Sequence, residues 1–172
     1  MTGAANGLGR AEALALARAG ASLVLNDLPG FDTVVDEAVV VPGDVGEWST
    51  GERLVAAALE AYGRLDILVN NAGVLRDRMI FSMSSEEWDT VLRVHLRGHF
   101  VTTRFATAYW RDLSKRIVNT SSEAFLLGSS GQPNYAAAKA GIAALTVTTA
   151  RSCAVRSAGQ RDLPAGPDRD DS

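Results

Sequence analysis

Tyr135 and Lys139 stand four residues apart in "NYAAAKAGI" (134–142), the spacing that puts two side chains on one face of a helix. An ammonium beside a phenol stabilises the phenolate, so such a tyrosine can exchange a proton with a substrate oxygen near neutral pH. The same pair by itself is equally what a solvated helix face carries. Ser122 lies 13 residues before Tyr135 and closes "RIVNTSS" (116–122). A hydroxyl at the C-terminal end of a strand could hold the same substrate oxygen. Near the other end, "TGAANGLG" (2–9) sets Gly3, Gly7 and Gly9 at the start of a helix. Glycines there let backbone N–H groups approach a pyrophosphate at the positive helix end, although a glycine trio alone is equally an ordinary tight turn. Asp27 follows Gly9 by 18 residues. An acid at that distance can accept from the ribose hydroxyls of an adenosine and repel a 2′-phosphate, which favours NAD over NADP; its plain alternative is a turn acid.

The elements that must hold these residues read as alternating helices and strands. "LGRAEALALARA" (8–19) has helical spacing and stops at Gly20. "SLVLND" (22–27) and "AVVVPGD" (38–44) are short apolar runs that predict buried strands, and "DILVNNAG" (66–73) and "RIVNTSS" two more. "TGERLVAAALEAYG" (50–63) predicts an amphipathic helix ended by Gly63. The stretch 84–113 predicts one long helix with a serine cap and acids in its first turn, and 133–154 another with Pro133 near its start. Such alternation predicts an α/β fold built on a doubly wound parallel sheet covered on both faces.

Composition narrows the function classes. The chain has 172 residues, 47% of them hydrophobic and 22% charged, and a net charge of −3. One globular, water-soluble domain is expected. A charge so near neutral gives no reason to expect nucleic acid or a membrane surface as partner. No apolar run is long enough for a membrane span, and the first residues lack the layout of a signal peptide. A single cysteine, Cys153, fits a reducing, cytoplasmic setting. No residue cluster suggests a metal site.

Taken in order, "TGAANGLG", "NNAG", "IVNTSS" and "YAAAK" resemble the short-chain dehydrogenase/reductase family, and the likeness covers roughly residues 2–153. The resemblance implies a Rossmann fold, a nicotinamide cofactor and hydride transfer between that cofactor and an alcohol or carbonyl. It implies that Tyr135 is the acid/base, that Lys139 supports the phenolate and binds the nicotinamide ribose, and that Ser122 positions the substrate oxygen. Asp44 would face the adenine, Asn70, Ala72 and Gly73 would line the adenosine side, and Gly3, Gly7 and Gly9 would carry the pyrophosphate turn. Members of this family form dimers or tetramers through their long helices. "NDL", "NNAGVLRDRMI", "VHLRGHF" and "GQPNYAAAKAGI" are similar to the (3R)-hydroxyacyl-CoA dehydrogenase branch, which implies an acyl-CoA-type 3-hydroxy or 3-keto substrate. Where many members have an asparagine in the long helix, His95 stands here; it could relay protons or simply pack on its neighbours. His99, one turn on, is expected to pack or face solvent.

Measured against that family, the chain reads as incomplete. A domain of this kind runs to about 200–250 residues. No strand precedes the glycine turn, the stretch between Asp27 and Asp44 has room for roughly two helical turns where a parallel crossover takes a dozen residues or more, and no strand is readable after residue 153. A partial cofactor-binding domain over 1–153 is therefore expected, with a disordered tail over 154–172. In GC-rich codons shifted by one base, that tail spells a family-like strand and loop, which suggests an out-of-frame product. Met1, where relatives have valine, suggests an internal GTG codon taken as a start. The alternative to an active enzyme is a truncated fragment that carries the motifs without binding cofactor.

Overall fold

The computed structural model describes residues 1–31, 35–110 and 115–159, the last six of these as helix backbone only. Its helices and strands alternate as α1 (Gly7–Arg18), β1 (Val24–Leu25), β2 (Val39–Val40), α2 (Trp48–Tyr62), β3 (Ile67–Asn70), α3 (Ser85–Leu92), α4 (Gly98–Tyr109), β4 (Arg116–Asn119), α5 (Ala124–Leu127) and α6 (Pro133–Gly159). A single turn of 3-10 helix covers Ile80–Ser82, and a π-helical stretch, Arg93–Arg97, joins α3 to α4.

The strands pair in parallel, β1 with β2 and β3 with β4. They form two separate two-stranded ladders instead of one sheet. Met1 and Thr2 lie between them. Thr2 bridges Asn26 in parallel, the Asn26 N–H donates to the Met1 carbonyl (2.9 Å), and the Thr2 N–H donates to the Val69 carbonyl (3.0 Å). The order across the molecule is thus β2, β1, residues 1–2, β3, β4. Two residues stand in the central place for which the sequence predicts no strand, and they bond to both ladders. Among the described residues no strand follows α6.

Both apolar runs that predicted β1 and β2 make shorter strands than expected. Hydrophobic runs report burial, and burial extends beyond the ladder. Backbone bonds still run along the whole seam, from Val39 N–H to the Leu23 carbonyl, Val41 to Leu25 and Gly43 to Asp27, each 2.9 Å. The short crossover therefore does deliver β2 parallel to β1. Leu23 and Leu25, two apart and so on one face, pack with Ala4 and Ala13 of the first turn and α1; Leu16, Ala17 and Met1 border that cluster. Elsewhere α2 packs on α4, and α3 packs on α6.

Helix ends follow the sequence signals closely. Gly63 closes α2 in the left-handed conformation (φ 69°). Ser84 and Glu87 form a capping box on α3, with Glu87 N–H to Ser84 Oγ at 3.1 Å and Ser84 N–H to Glu87 Oε2 at 2.9 Å. The expected long helical stretch over 84–113 runs unbroken from Ser85 to Tyr109 as α3, the π stretch and α4; residues 111–114 are outside the described set. Helix α6 runs six residues into the predicted tail, to Gly159, and the rest of the tail lies outside the described residues.

Asn26 is fully buried, and its Nδ2 donates to the carbonyls of Val41 and Gly43, both at 2.9 Å. It thereby extends the β1–β2 seam past the end of β2. Asn26→Ala removes both bonds and leaves two acceptors short, so it should lower unfolding free energy by about 2–3 kcal/mol in urea titrations. A loss below about 0.5 kcal/mol, the scale of a neutral surface change, would mean that the seam does not depend on this amide.

Candidate active site

A cleft of about 660 Å³ opens along the C-terminal ends of the strands. Its walls follow from the topology. Asp27 comes directly after β1, Gly43 and Asp44 after β2, Asn71 to Arg76 after β3, and Thr120 after β4. The N-terminus of α1 contributes Gly3, Asn6, Leu8 and Gly9, and Tyr135 and Lys139 enter from the first turns of α6. Ligands in open α/β sheets bind at such strand ends, and this volume suits a cofactor-sized molecule.

The glycine turn is constrained by close backbone approach. Gly3 has φ 67°, and a Cβ there would lie 2.7 Å from Ala72 Cα; a Cβ on Gly9 would lie 1.9 Å from the Gly3 carbonyl oxygen. Gly7 has φ 53° and open space beside it, and it does not line the cleft. Thr2 Oγ1 accepts from Asn71 N–H (3.1 Å) and Ala72 N–H (3.2 Å), and Asn71 Nδ2 donates to the Gly3 carbonyl (3.1 Å). The turn and the segment after β3 are thus one unit. Asn6 caps α1 without a side-chain bond, and the first turn of α1 carries no acid. Leu8 and Gly9 of this first turn line the cleft, and a helix start without an acid or a side-chain cap fits a pyrophosphate.

Asp27 is half-buried; Oδ2 accepts from Ala5 N–H and Oδ1 from Leu28 N–H, each 2.9 Å. Asp44 also lines the cleft, but Arg93 Nη1 pairs with its Oδ2, and Gly46 N–H donates to Oδ1 (2.8 Å). Ala72 and Gly73 are in the wall. Asn70 is not. It shares the buried face of β3 with Leu68, where its Nδ2 donates to Asn119 Oδ1 (2.9 Å) and its Oδ1 accepts from Thr102 Oγ1 (2.6 Å). The neighbouring Asn71 faces the cleft instead, and the period-2 alternation of a strand is the signal that separates the two. Ser122 likewise does not line the cleft; its Oγ accepts from Ala124 N–H (3.2 Å) at the start of α5.

Tyr135 and Lys139 do come together. Lys139 Nζ lies 5.4 Å from the Tyr135 ring centroid, is 2% exposed as a residue, and donates to the Thr120 carbonyl at 2.5 Å. Burial pushes its ammonium down to about 8 from the ordinary 10.5. The other wall is His95, 3% exposed, edge-on to Tyr135 with ring centroids 5.3 Å apart. His95 Nε2 stands 3.0 Å from the Val74 amide nitrogen and 2.9 Å from its carbonyl oxygen, so it accepts from one or donates to the other according to tautomer. Nδ1 has no partner among the described residues. A Cβ on Gly73 would lie 2.5 Å from the ring, so that glycine makes room for it. His95 belongs to the π stretch, a feature often found at functional sites. His99 packs in the interior, as one of the two expectations had it, at 1% exposed.

The family profile described as short chain dehydrogenase matches residues 1–157. The chain belongs to the short-chain dehydrogenase family. Its fold is accordingly the NAD(P)-binding Rossmann-like fold of a family of NAD(P)-dependent oxidoreductases. It is 55% identical over 175 residues to the hydroxyacyl-CoA dehydrogenase ChsB1 of Mycobacterium tuberculosis, covering 88% of this chain and 55% of that protein. Against the peroxisomal multifunctional enzyme type 2 of Mus musculus identity is 44% over 169 residues, covering 87% of this chain and 23% of that one. A crystal structure of a short chain dehydrogenase from Mycobacterium avium superposes with a TM-score of 0.82 at 46% identity, covering 90% of this chain and 62% of that one. The chain thus spans about half, or less, of the length of these two curated relatives. Among the described residues no helix is long and apolar enough to cross a membrane, and no cluster of side chains could hold a metal ion.

Burial pushes both histidines down to about 4 from 6.5, so each is neutral in the fold. With both folded values below the unfolded one, the unfolded chain binds more protons between these limits. Stability is then lost as pH falls from about 6.5 towards 4. His99→Gln, which leaves the cleft untouched, should flatten that loss by on the order of 2–3 kcal/mol at pH 4. Urea midpoints measured at pH 7 and pH 4.5 check it, and equal pH dependence in variant and parent would contradict it.

Proposed function

We propose that this chain is an NAD-preferring dehydrogenase of 3-hydroxyacyl thioesters or closely related alcohols, interconverting the hydroxyl and the ketone. The observation that carries the reading is the single cleft that joins the Tyr135–Lys139 pair to the open N-terminus of α1 and to Asp27. The names of the mycobacterial and peroxisomal relatives support the substrate class. Asp27 supports the cofactor preference, because its carboxylate would sit against a 2′-phosphate.

In this reading Gly3 and Gly9 and the first N–H groups of α1 hold the pyrophosphate, Asp27 the adenosine ribose, and Lys139 the nicotinamide ribose. The nicotinamide, when bound, supplies or accepts the hydride. Tyr135 takes the proton of the substrate hydroxyl as its C–O bond becomes C=O, and returns it in the reverse direction. Lys139 is charged below about pH 8, and its Nζ lies 5.4 Å from the Tyr135 ring centroid. One of its three donors is engaged with Thr120, and among the described residues the others remain for cofactor and phenol. Neutral His95 closes the wall behind the Tyr135 ring. Ser122 is assigned the substrate oxygen. In the intact family the long helices make homo-oligomer contacts, and we extend that to this chain.

A second reading has one observation in its favour. Ser122 Oγ is turned to Ala124 N–H and stands outside the cleft. A chain that carries the motifs without turnover would show such a serine.

Calorimetric titration with NAD⁺ and NADP⁺, then assays with 3-hydroxyacyl-CoA substrates, separate the two. NAD⁺ should bind more tightly than NADP⁺, and Asp27→Ser should narrow or reverse the difference. Tyr135→Phe should keep NAD⁺ affinity while turnover falls by about 10²–10⁴-fold. Binding without turnover in the parent chain selects the second reading, and failure to bind either nucleotide removes both the activity and the cofactor assignment.

A further inference from the structure

Tyr135 is the third residue of α6, so its N–H is one of the donors that a helix leaves without an intrahelical partner. The acceptor it finds is the side chain of the preceding residue: Asn134 Oδ1 accepts from Tyr135 N–H at 2.7 Å. Asn134 is completely buried. The two hydrogens of its amide go to two other segments, Nδ2 donating to the Arg76 carbonyl (2.9 Å) and to the Glu87 carbonyl (3.1 Å). Arg76 belongs to the cleft wall after β3, and Glu87 to the first turn of α3. One planar amide therefore clamps three elements at the foot of Tyr135.

We propose that Asn134 is a positioning residue for the reaction: it sets the Tyr135 phenol against the Val74–Arg76 wall and the His95 ring. This rests on the oxidoreductase reading of the cleft. Only an amide supplies two donors and an acceptor in one plane, so the three contacts specify asparagine by hydrogen-bond chemistry as well as by size. The seam it belongs to is reinforced on each side. Arg78 N–H donates to the Gly131 carbonyl (2.7 Å), Gln132 Nε2 donates to Asp77 Oδ2 (3.0 Å), and Arg78 pairs with Glu87 (3.0 Å). The first two tie the segment after the wall to the turn before α6 and the third ties it to α3, whereas of these groups Asn134 alone reaches the residue that carries the phenol. His95, held to Val74 from the other side, completes the frame.

The test uses the full chain with Asn134→Ala, Asn134→Ser and, as a control on the seam, Gln132→Ala. Amide hydrogen exchange at Tyr135 and the ring-to-ring NOE between Tyr135 and His95 are measured alongside NAD⁺ affinity and turnover. In Asn134→Ala, Tyr135 N–H should exchange about 10-fold faster or more, and the NOE should weaken. Its kcat should fall about 10–100-fold, as expected for a phenol displaced by an ångström or less, while NAD⁺ affinity stays at the parent value. Asn134→Ser retains an acceptor and should recover part of each effect, and Gln132→Ala should match the parent. Should the alanine variant not fold, the serine variant is judged by the same readouts. A parent chain without turnover refutes the oxidoreductase reading alone, and the exchange and NOE data still decide Asn134. Unchanged Tyr135 exchange and NOE in a folded variant overturn the proposal. So does an equal loss in Gln132→Ala, or a loss confined to cofactor affinity.

Discussion

Two residues between two ladders hold the molecule in register. Without the bonds from Asn26 N–H to Met1 and from Thr2 N–H to Val69, β1–β2 and β3–β4 would face each other with unpaired inner edges. The same residue then does a second job. Thr2 Oγ1 accepts from both Asn71 and Ala72, so the segment leaving β3 is fixed to the segment entering the glycine turn. The cleft needs that join, because its cofactor half is anchored on one ladder and its Tyr135 half leans on the other. Gly3 and Gly9 are required where they are because this join brings backbone onto backbone, closer than a Cβ allows.

Around Tyr135 the governing quantity is dryness. Lys139, His95 and His99 are all buried within the same region, and burial displaces each towards its neutral form. The consequences differ because the ordinary values differ. The histidines, starting at 6.5, are neutral throughout the physiological range, whereas Lys139, starting at 10.5, remains charged up to about 8. A largely buried cation is screened less than the same cation at a surface. Had His95 been charged as well, it would have repelled Lys139.

What could be read in the sequence was what local chemistry decides. Gly63 at a helix end, Ser84 with Glu87 three residues on, and the Tyr135–Lys139 spacing each depend on a few neighbouring residues, and the structure has all three. The strands are shorter than their apolar runs because "SLVLND" and "AVVVPGD" are apolar for reasons of burial, while only two residues of each complete a ladder. The π stretch at Arg93–Arg97 was invisible, since it alters the helical period over a single turn and both flanks keep their pattern. The resemblance implies Asn70 as a wall residue, but β3 alternates, so Asn70 falls on the buried face of Leu68 and Asn71 lines the cleft. Nothing local marks Asn26 or Asn134 as clamps, because an asparagine's partners are chosen by segments dozens of residues away: Asn134 reaches Arg76 and Glu87.

These buried amides explain how so short a set of strands can hold a site. Asn26 extends one ladder, Asn70 joins the other to Asn119 and Thr102, and Asn134 fastens the base of α6 to the wall after β3. Asn26 lies just past β1 and Asn134 at the start of α6, where backbone groups run out of regular partners, and Asn70 ends β3 and bonds side chains of β4 and α4. An amide can serve two or three of those groups at once and, unlike a carboxylate, brings no charge into the interior. Charged side chains line the cleft: Asp27, and Asp44 with its partner Arg93, on the nucleotide side, and Lys139 beside Tyr135. Fixing the frame with neutral groups leaves the field inside the cleft to the few charges that face a ligand.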